Sequence, residues 1–301
     1  MQIVLHIGAD KTGTTAYQGF LFRNSELLKQ QGVFVIQTGI TPFGHWPILK
    51  NLDGELWAQF DQEIRELASN PACKVAVFSW EGVHNMPPDK LNQIRLHFGD
   101  CDFRILYAIR EQAELESSGI LQRIKQSNFN NSLANIDNIL DQAFSWPVRD
   151  PVKALERLGG AFGRSNIRLR TYSRQVLDDL LADTGVVLND TFNMEFESNP
   201  SFTYEAALAF EEVAKPIDHA GKRSAMRDAV LNEVDRLKGN KKVFLTKSVD
   251  YIRGLFIESN RQVAKEWFDR DELFPLKDIA RTTPPDRELV EQYKQIAKSA
   301  L

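Results

Sequence analysis

Short apolar runs punctuate the first 172 residues, with longer stretches of helical character between them. Ile3–Ile7, Val75–Ser79 and Arg104–Ile109 predict strands buried on both faces, as in a parallel sheet. Asn166–Tyr172 is more polar and predicts a strand nearer an edge. Ala16–Gln31, Asp53–Ser69, Pro88–Phe98 and Glu111–Ser127 carry helical signals. Strands alternating with helices predict an α/β fold, a doubly wound and mainly parallel sheet flanked by helices. After Tyr172 the character changes, and Val176–Thr184, Thr203–Lys238 and Val249–Trp267 read as helical without clear intervening strands. No Gly-, Pro- or Ser-rich linker, repeat or low-complexity tract separates the halves. The expectation is one domain over residues 1–301, with an α/β core over 1–172 and a helical C-terminal cap over 173–301.

Composition narrows the picture modestly. The chain has 301 residues, 43% hydrophobic and 26% charged, which is ordinary for a globular protein. A formal net charge of −4 supplies no global basic field for nucleic acid or anionic lipid. Two cysteines, Cys73 and Cys101, are too few for a disulfide scaffold and lack metal-ligand spacing, so they read as buried reduced thiols. No segment approaches the roughly 18 uninterrupted apolar residues of a membrane span. The N-terminus lacks the charged start and cleavage site of a signal peptide and reads as the first strand, so a cytoplasmic location is expected.

The sharpest feature is His6-Ile7-Gly8-Ala9-Asp10-Lys11-Thr12-Gly13-Thr14-Thr15, directly after a strand and before a helix. Gly8 and Gly13 permit tight turns, and the following helix offers unpaired N–H groups and a positive dipole end. Lys11 adds a point charge, and Thr12, Thr14 and Thr15 add hydroxyls. Two glycines separated by four residues resemble the nucleotide-binding P-loop. Thr14 stands where the NTPase motif has Lys, which weakens a kinase or ATPase reading. A second anion-binding pair is Arg110, ending a buried strand, and Ser118, eight positions on. Its bland alternative is a surface pairing of Arg110 with Glu111 or Glu114.

Together these motifs resemble the sulfotransferase family that uses 3′-phosphoadenosine 5′-phosphosulfate (PAPS). The resemblance implies that Lys11-Thr12-Gly13-Thr14-Thr15 binds the 5′-phosphosulfate and that Arg110 and Ser118 bind the 3′-phosphate. A bacterial branch is further resembled at Gly44-His45, Ser79-Trp80-Glu81, Glu197-Ser198-Asn199-Pro200-Ser201 and Asn260–Phe274. Tyr172 stands where the family often has an aromatic near the adenine. Trp80 replaces a small residue of that branch and would narrow an acceptor pocket, and Glu111 replaces a basic residue and would weaken the hold on phosphate. The implied activity is sulfuryl transfer from PAPS to a hydroxyl or amine, without a metal.

The attacking group must lose a proton, and three residues compete to take it. Glu81 follows a strand and should emerge at the same sheet edge as Lys11 and Arg110, His45 lies in the shaped loop Thr41–Pro47, and His84 is three residues from Glu81. His6 reads as a buried structural histidine, and His97 and His219 as surface or helix-packing residues. Trp46, Trp57 and Trp80 point to a sugar or polysaccharide acceptor where they are exposed, and to core packing where they are not. The alternatives are a P-loop nucleotide kinase or phosphotransferase, and a non-catalytic nucleotide- or glycan-binding relative.

Overall fold

A computed structural model describes residues 1–49, 54–99, 101–130, 133, 149–195, 200–243, 246–275 and 284–301. By internal contacts the chain divides into two compact units. The first comprises Met1–Arg110, Asp150–Glu197 and Glu266–Asp269, and the second comprises Glu111–Arg149, Ser198–Lys265 and Arg270–Leu301. Among the described residues no helix is long and apolar enough to cross a membrane.

The first unit is an α/β sheet. Its strands are β1 (Gln2–Gly8), β2 (Val33–Val35), β3 (Val75–Ser79), β4 (Asp102–Ile109) and β5 (Ile167–Thr171). They are hydrogen-bonded in the order β2-β3-β1-β4-β5, all parallel. The expected strands are therefore all present, and the more polar β5 is an edge. From β1 the chain crosses to the edge strand β2, returns to β3 beside β1, and then passes to β4 and β5 on the other side. This reversal places a crevice at the carboxyl end of β1, between β3 and β4, where open α/β sheets bind ligands.

Period-two alternation gives each central strand two buried faces. On one face Val4, Val77, Leu106 and Ala108 pack with Tyr17, Phe20 and Leu21 of α1 (Thr14–Arg23), Leu28 of α2 (Ser25–Lys29) and Val176, Leu180 and Leu181 of a later helix, Val176–Thr184. On the other, aromatic rings meet edge to face, with centroid distances of 5.5 Å for Phe60–Phe78, 5.3 Å for Phe60–Phe98 and 5.4 Å for Phe98–Phe103. Each such fully buried ring contributes roughly 1.5–3 kcal/mol by area. Helices α3 (Trp46–Leu49), α4 (Glu55–Ser69) and α5 (Pro88–His97) precede β4. After β4 come α6 (Gln112–Lys125), α7 (Pro151–Phe162) and α8 (Val176–Thr184).

Several boundaries differ from the expectation. The stretch Ala16–Gln31 is two helices, because Asn24 turns its side-chain Nδ2 onto the carbonyls of Phe20 and Asn193, both at 3.0 Å. Three-residue β2 is too short to stand out in the pattern. Helix α7, also unforeseen, is capped by Asp150, whose Oδ1 accepts the Val152 N–H at 3.0 Å, with Pro151 in the first turn.

The second unit is helical among its described residues. It contains α6, α9 (Tyr204–Ala214), α10 (Ala220–Leu237), α11 (Thr246–Phe268) up to Lys265, and the unforeseen α12 (Arg287–Ser299). Its core combines Ile120, Leu121 and Ile124 of α6 with Ala206, Ala207, Ala209 and Phe210 of α9 and Tyr293 and Ala297 of α12. The alanines remove side-chain bulk where helices pack. The stretch Thr203–Lys238 is two helices, separated by Lys215–His219, which contains Pro216.

Candidate functional site

Only five residues, Ala9 to Gly13, join β1 to α1. Gly8 and Gly13 have φ of +93° and +86°, in the left-handed region that a side chain makes costly. Gly8 must also be bare for a second reason: a Cβ there would lie 2.9 Å from Glu81 Cβ. The Ala9 N–H donates to the Ala108 carbonyl at 2.8 Å, which ties the loop to β4. Thr12 is fully buried, and its hydroxyl donates to the Ala9 carbonyl at 2.5 Å. Its side chain is thus spent inside the loop, a correction to its expected place among the hydroxyls offered to a ligand. Thr15 is exposed. No side chain caps α1 and its first turn holds no acid of its own, so its opening N–H groups are left for a ligand.

Glu81 opens a short 3-10 turn, Glu81–Asn85, directly after β3 and Trp80. The Thr14 hydroxyl donates to Glu81 Oε2, joining the turn to the first residue of α1. Burial pushes the Glu81 carboxyl above its ordinary range, with Asp10 adding to the effect and Thr14 and Lys11 opposing it. Burial also pulls the Lys11 ammonium down, while Glu81 and Asp10 hold it up. Arg110 closes the other side of the crevice. It donates to the Lys11 carbonyl at 3.0 Å, and its guanidinium lies 4.5 Å from the centroid of the half-exposed Tyr172 ring. Lys11, Thr14, Glu81, Arg110 and Tyr172 are therefore gathered at the carboxyl end of the sheet.

His45 is held at both ring nitrogens by the main chain. It is 1% exposed and stacks on Phe78 with ring centroids 4.5 Å apart. Its Nε2 bonds the Ile36 carbonyl at 2.8 Å and therefore carries the proton, and its Nδ1 accepts the Ser79 N–H at 3.1 Å. Burial lowers its pKa, so the ring is neutral and its single lone pair is spent on the main chain. His84 is buried as well, its Nδ1 engaged by the Glu81 carbonyl. His6 is fully buried, 2.8 Å from the Ser79 hydroxyl, with its pKa lowered to about 3.

The remaining residues fall as follows. Glu111 and Glu114 pair with Arg253 and Lys242 within the second unit, at 3.6 and 2.6 Å. Ser118 lies on α6, half-buried, in that unit. Trp57 is a core residue, 2% exposed and stacked on His97 at 4.0 Å, so it offers no sugar platform. Trp46 is 37% exposed. The Trp80 indole lies against Gly82, where an added Cβ would come within 2.1 Å of the ring. Glu197–Asn199 lie outside the described residues.

One contributor was not anticipated. Arg157 of α7 donates to the His84 carbonyl at 2.5 Å and so braces the turn that starts with Glu81. A lone arginine on a helix carries no sequence signal for such a role.

No protein family and no curated protein matches the chain. Among solved structures it is similar to a sulfotransferase from Alicyclobacillus acidocaldarius, at 15% identity over 77% of this chain and 95% of that one, with a TM-score of 0.42.

Proposed function

We propose that the chain is a sulfotransferase that moves a sulfuryl group from PAPS to a hydroxyl or amine acceptor, with a carbohydrate as the acceptor class. The observation that carries this reading is the Lys11–Thr14–Glu81 arrangement. A desolvated ammonium, an uncapped helix N-terminus and a carboxylate of raised pKa share one crevice end. The first two suit a phosphosulfate, whose negative charge they would balance. The donor supplies an activated sulfuryl group on a phosphate leaving group.

The rest falls to this chain's residues. Lys11 and the N–H groups opening α1 offset charge that moves onto the leaving phosphate oxygen. Glu81, ionised, takes the proton of the acceptor O–H or N–H as the acceptor–sulfur bond forms and the sulfur–phosphate oxygen bond breaks. Thr14 orients that carboxylate through its hydroxyl. Arg110 takes the 3′-phosphate and Tyr172 presents its ring to the base. Half-exposed Trp46 supports a sugar acceptor. Ser118, in the second unit, is given no role.

Calorimetry with 3′-phosphoadenosine 5′-phosphate in EDTA, beside 5′-AMP and magnesium ATP, tests the donor assignment. The proposal expects binding that needs the 3′-phosphate and falls about tenfold or more in Lys11→Ala. Preference for magnesium ATP, or no binding of the bisphosphate, would replace the sulfotransferase reading with a phosphotransferase one.

A further inference from the structure

The second unit carries a cavity of about 360 Å³, within the range that holds small ligands. Its inner wall includes Glu111, whose side chain is 6% exposed. Glu111 Oε2 accepts the Glu114 N–H at 2.8 Å and caps α6. Its Oε1 is buried and has no hydrogen-bond partner among the described residues, since Arg253 Nε stands 3.6 Å away, too far to donate. Leaving a buried carboxylate oxygen unsatisfied is costly, so this atom marks where a donor is wanted.

The charges around it define that donor. Asp250, Asp271 and Glu272 also line the cavity and are exposed, which puts three carboxylates at its outer edge. Two guanidiniums oppose the four acids, and both are engaged. Arg253 also donates to the Phe274 carbonyl at 3.2 Å, and Arg261 forks onto Glu258 at 2.7 and 2.9 Å. The excess is therefore negative. The lining also includes the apolar Ile257, Leu273 and Phe274, and Gly254 has open space where a side chain would stand.

We propose that this cavity binds an aliphatic polyamine, with one ammonium donating to Glu111 Oε1, the methylene chain along Ile257 and Phe274, and further ammonium groups facing Asp250, Asp271 and Glu272. The site is independent of the sulfuryl-transfer reading. A neutral diol of the same length lacks the charge that the outer acids select. A monoamine reaches the buried acid but leaves the outer ones unused, so it binds more weakly.

Spermidine titrated into the full chain at low ionic strength tests this, with 1,8-octanediol as the neutral control. Saturable one-to-one binding is expected for spermidine and none for the diol. Glu111→Gln keeps an oxygen for the helix cap but loses the charge, and should weaken binding by about tenfold or more. Arg253→Gln removes the competing cation and should tighten it, an effect that mere loss of structure would not give. The exposed pair Asp271→Asn and Glu272→Gln should weaken it several-fold whether or not the Glu111 variant folds. Glu288→Gln, outside the cavity lining, should leave it unchanged. Equal affinity in the Asp271/Glu272 variant, equal affinity in a folded Glu111→Gln protein, equal loss in Glu288→Gln, or no saturable binding would each overturn the assignment.

Discussion

Two segments meet the end of β3 and each delivers a buried titratable side chain: the loop Thr41–Trp46 brings His45, and the turn Glu81–Asn85 brings Glu81. Their fates are opposite. His45 donates its Nε2–H to the Ile36 carbonyl and accepts the Ser79 N–H at Nδ1, so it fastens the loop to the strand. Glu81 has one oxygen, Oε2, bound by a side-chain hydroxyl, that of Thr14. Burial shifts both groups toward neutrality, and burial alone does not distinguish a base from a brace. The difference lies in where the lone pairs go.

The contrast predicts unequal costs of removal. His45→Ala leaves the Ile36 carbonyl and Ser79 N–H unpaired beside a cavity, and should cost about 3–5 kcal/mol of stability. Glu81→Gln removes a desolvated charge and should fall within about 1 kcal/mol of the parent or exceed it. Chemical denaturation of the two variants decides, and equal losses would break the comparison. Gly44→Ala attacks the same loop at its backbone. Gly44 has φ of +81°, and its new Cβ would fall 2.3 Å from the Ser79 carbonyl oxygen. A loss of about 2–4 kcal/mol by thermal melting is expected.

Much of this was legible in the chain itself. The five-residue loop between β1 and α1 announces itself because glycines with positive φ, a lysine and hydroxyls are all local in sequence. Glu81 and Arg110 were placed at the sheet edge because a parallel strand, once recognised, fixes where the next residue emerges. The setting of His45 was not legible because its partners, Ile36 and Ser79, are nine and 34 residues away and are main-chain groups, which no side-chain pattern reveals. Thr12 misled because a hydroxyl can turn either way, and here it turns to Ala9. The starts of α7 and α12 were readable, as Asp150-Pro151 and Pro285-Asp286 are ordinary cap signals. The exposed or core state of Trp57 depended on packing against His97, which is set only in three dimensions.

Acid sharpens the comparison further. His6 and His45 have folded pKa values below their ordinary 6.5, so the unfolded chain takes up protons that the folded chain refuses. Their contribution is present above pH 6.5 and is lost as pH falls, at about 1.4 kcal/mol per pH unit for each ring, until the folded ring itself protonates. Glu81 runs the other way. Its folded carboxyl keeps its proton above the ordinary 4.5, so its contribution is present below that value and is lost as pH rises through the raised folded pKa. Glu81→Gln should therefore flatten the stability profile above 4.5 while leaving the histidine-driven fall unchanged. Denaturation midpoints across this range check both limbs.

The smallest effect concerns the ring beside Arg110. Tyr172→Ala removes a cation–π contact and should lower affinity for 3′-phosphoadenosine 5′-phosphate only a few-fold, about 0.5–1 kcal/mol by calorimetry. A loss as large as that of Lys11→Ala would mean that the crevice is organised around the ring instead of the loop.

The most direct test follows release of 3′-phosphoadenosine 5′-phosphate from PAPS, with a panel of sugar acceptors, in the parent, Glu81→Gln and His45→Gln. The account predicts a rate about 10²–10⁴-fold lower in Glu81→Gln with nucleotide affinity retained, and an unchanged rate per folded molecule in His45→Gln. Full activity in Glu81→Gln with its loss in folded His45→Gln would contradict it.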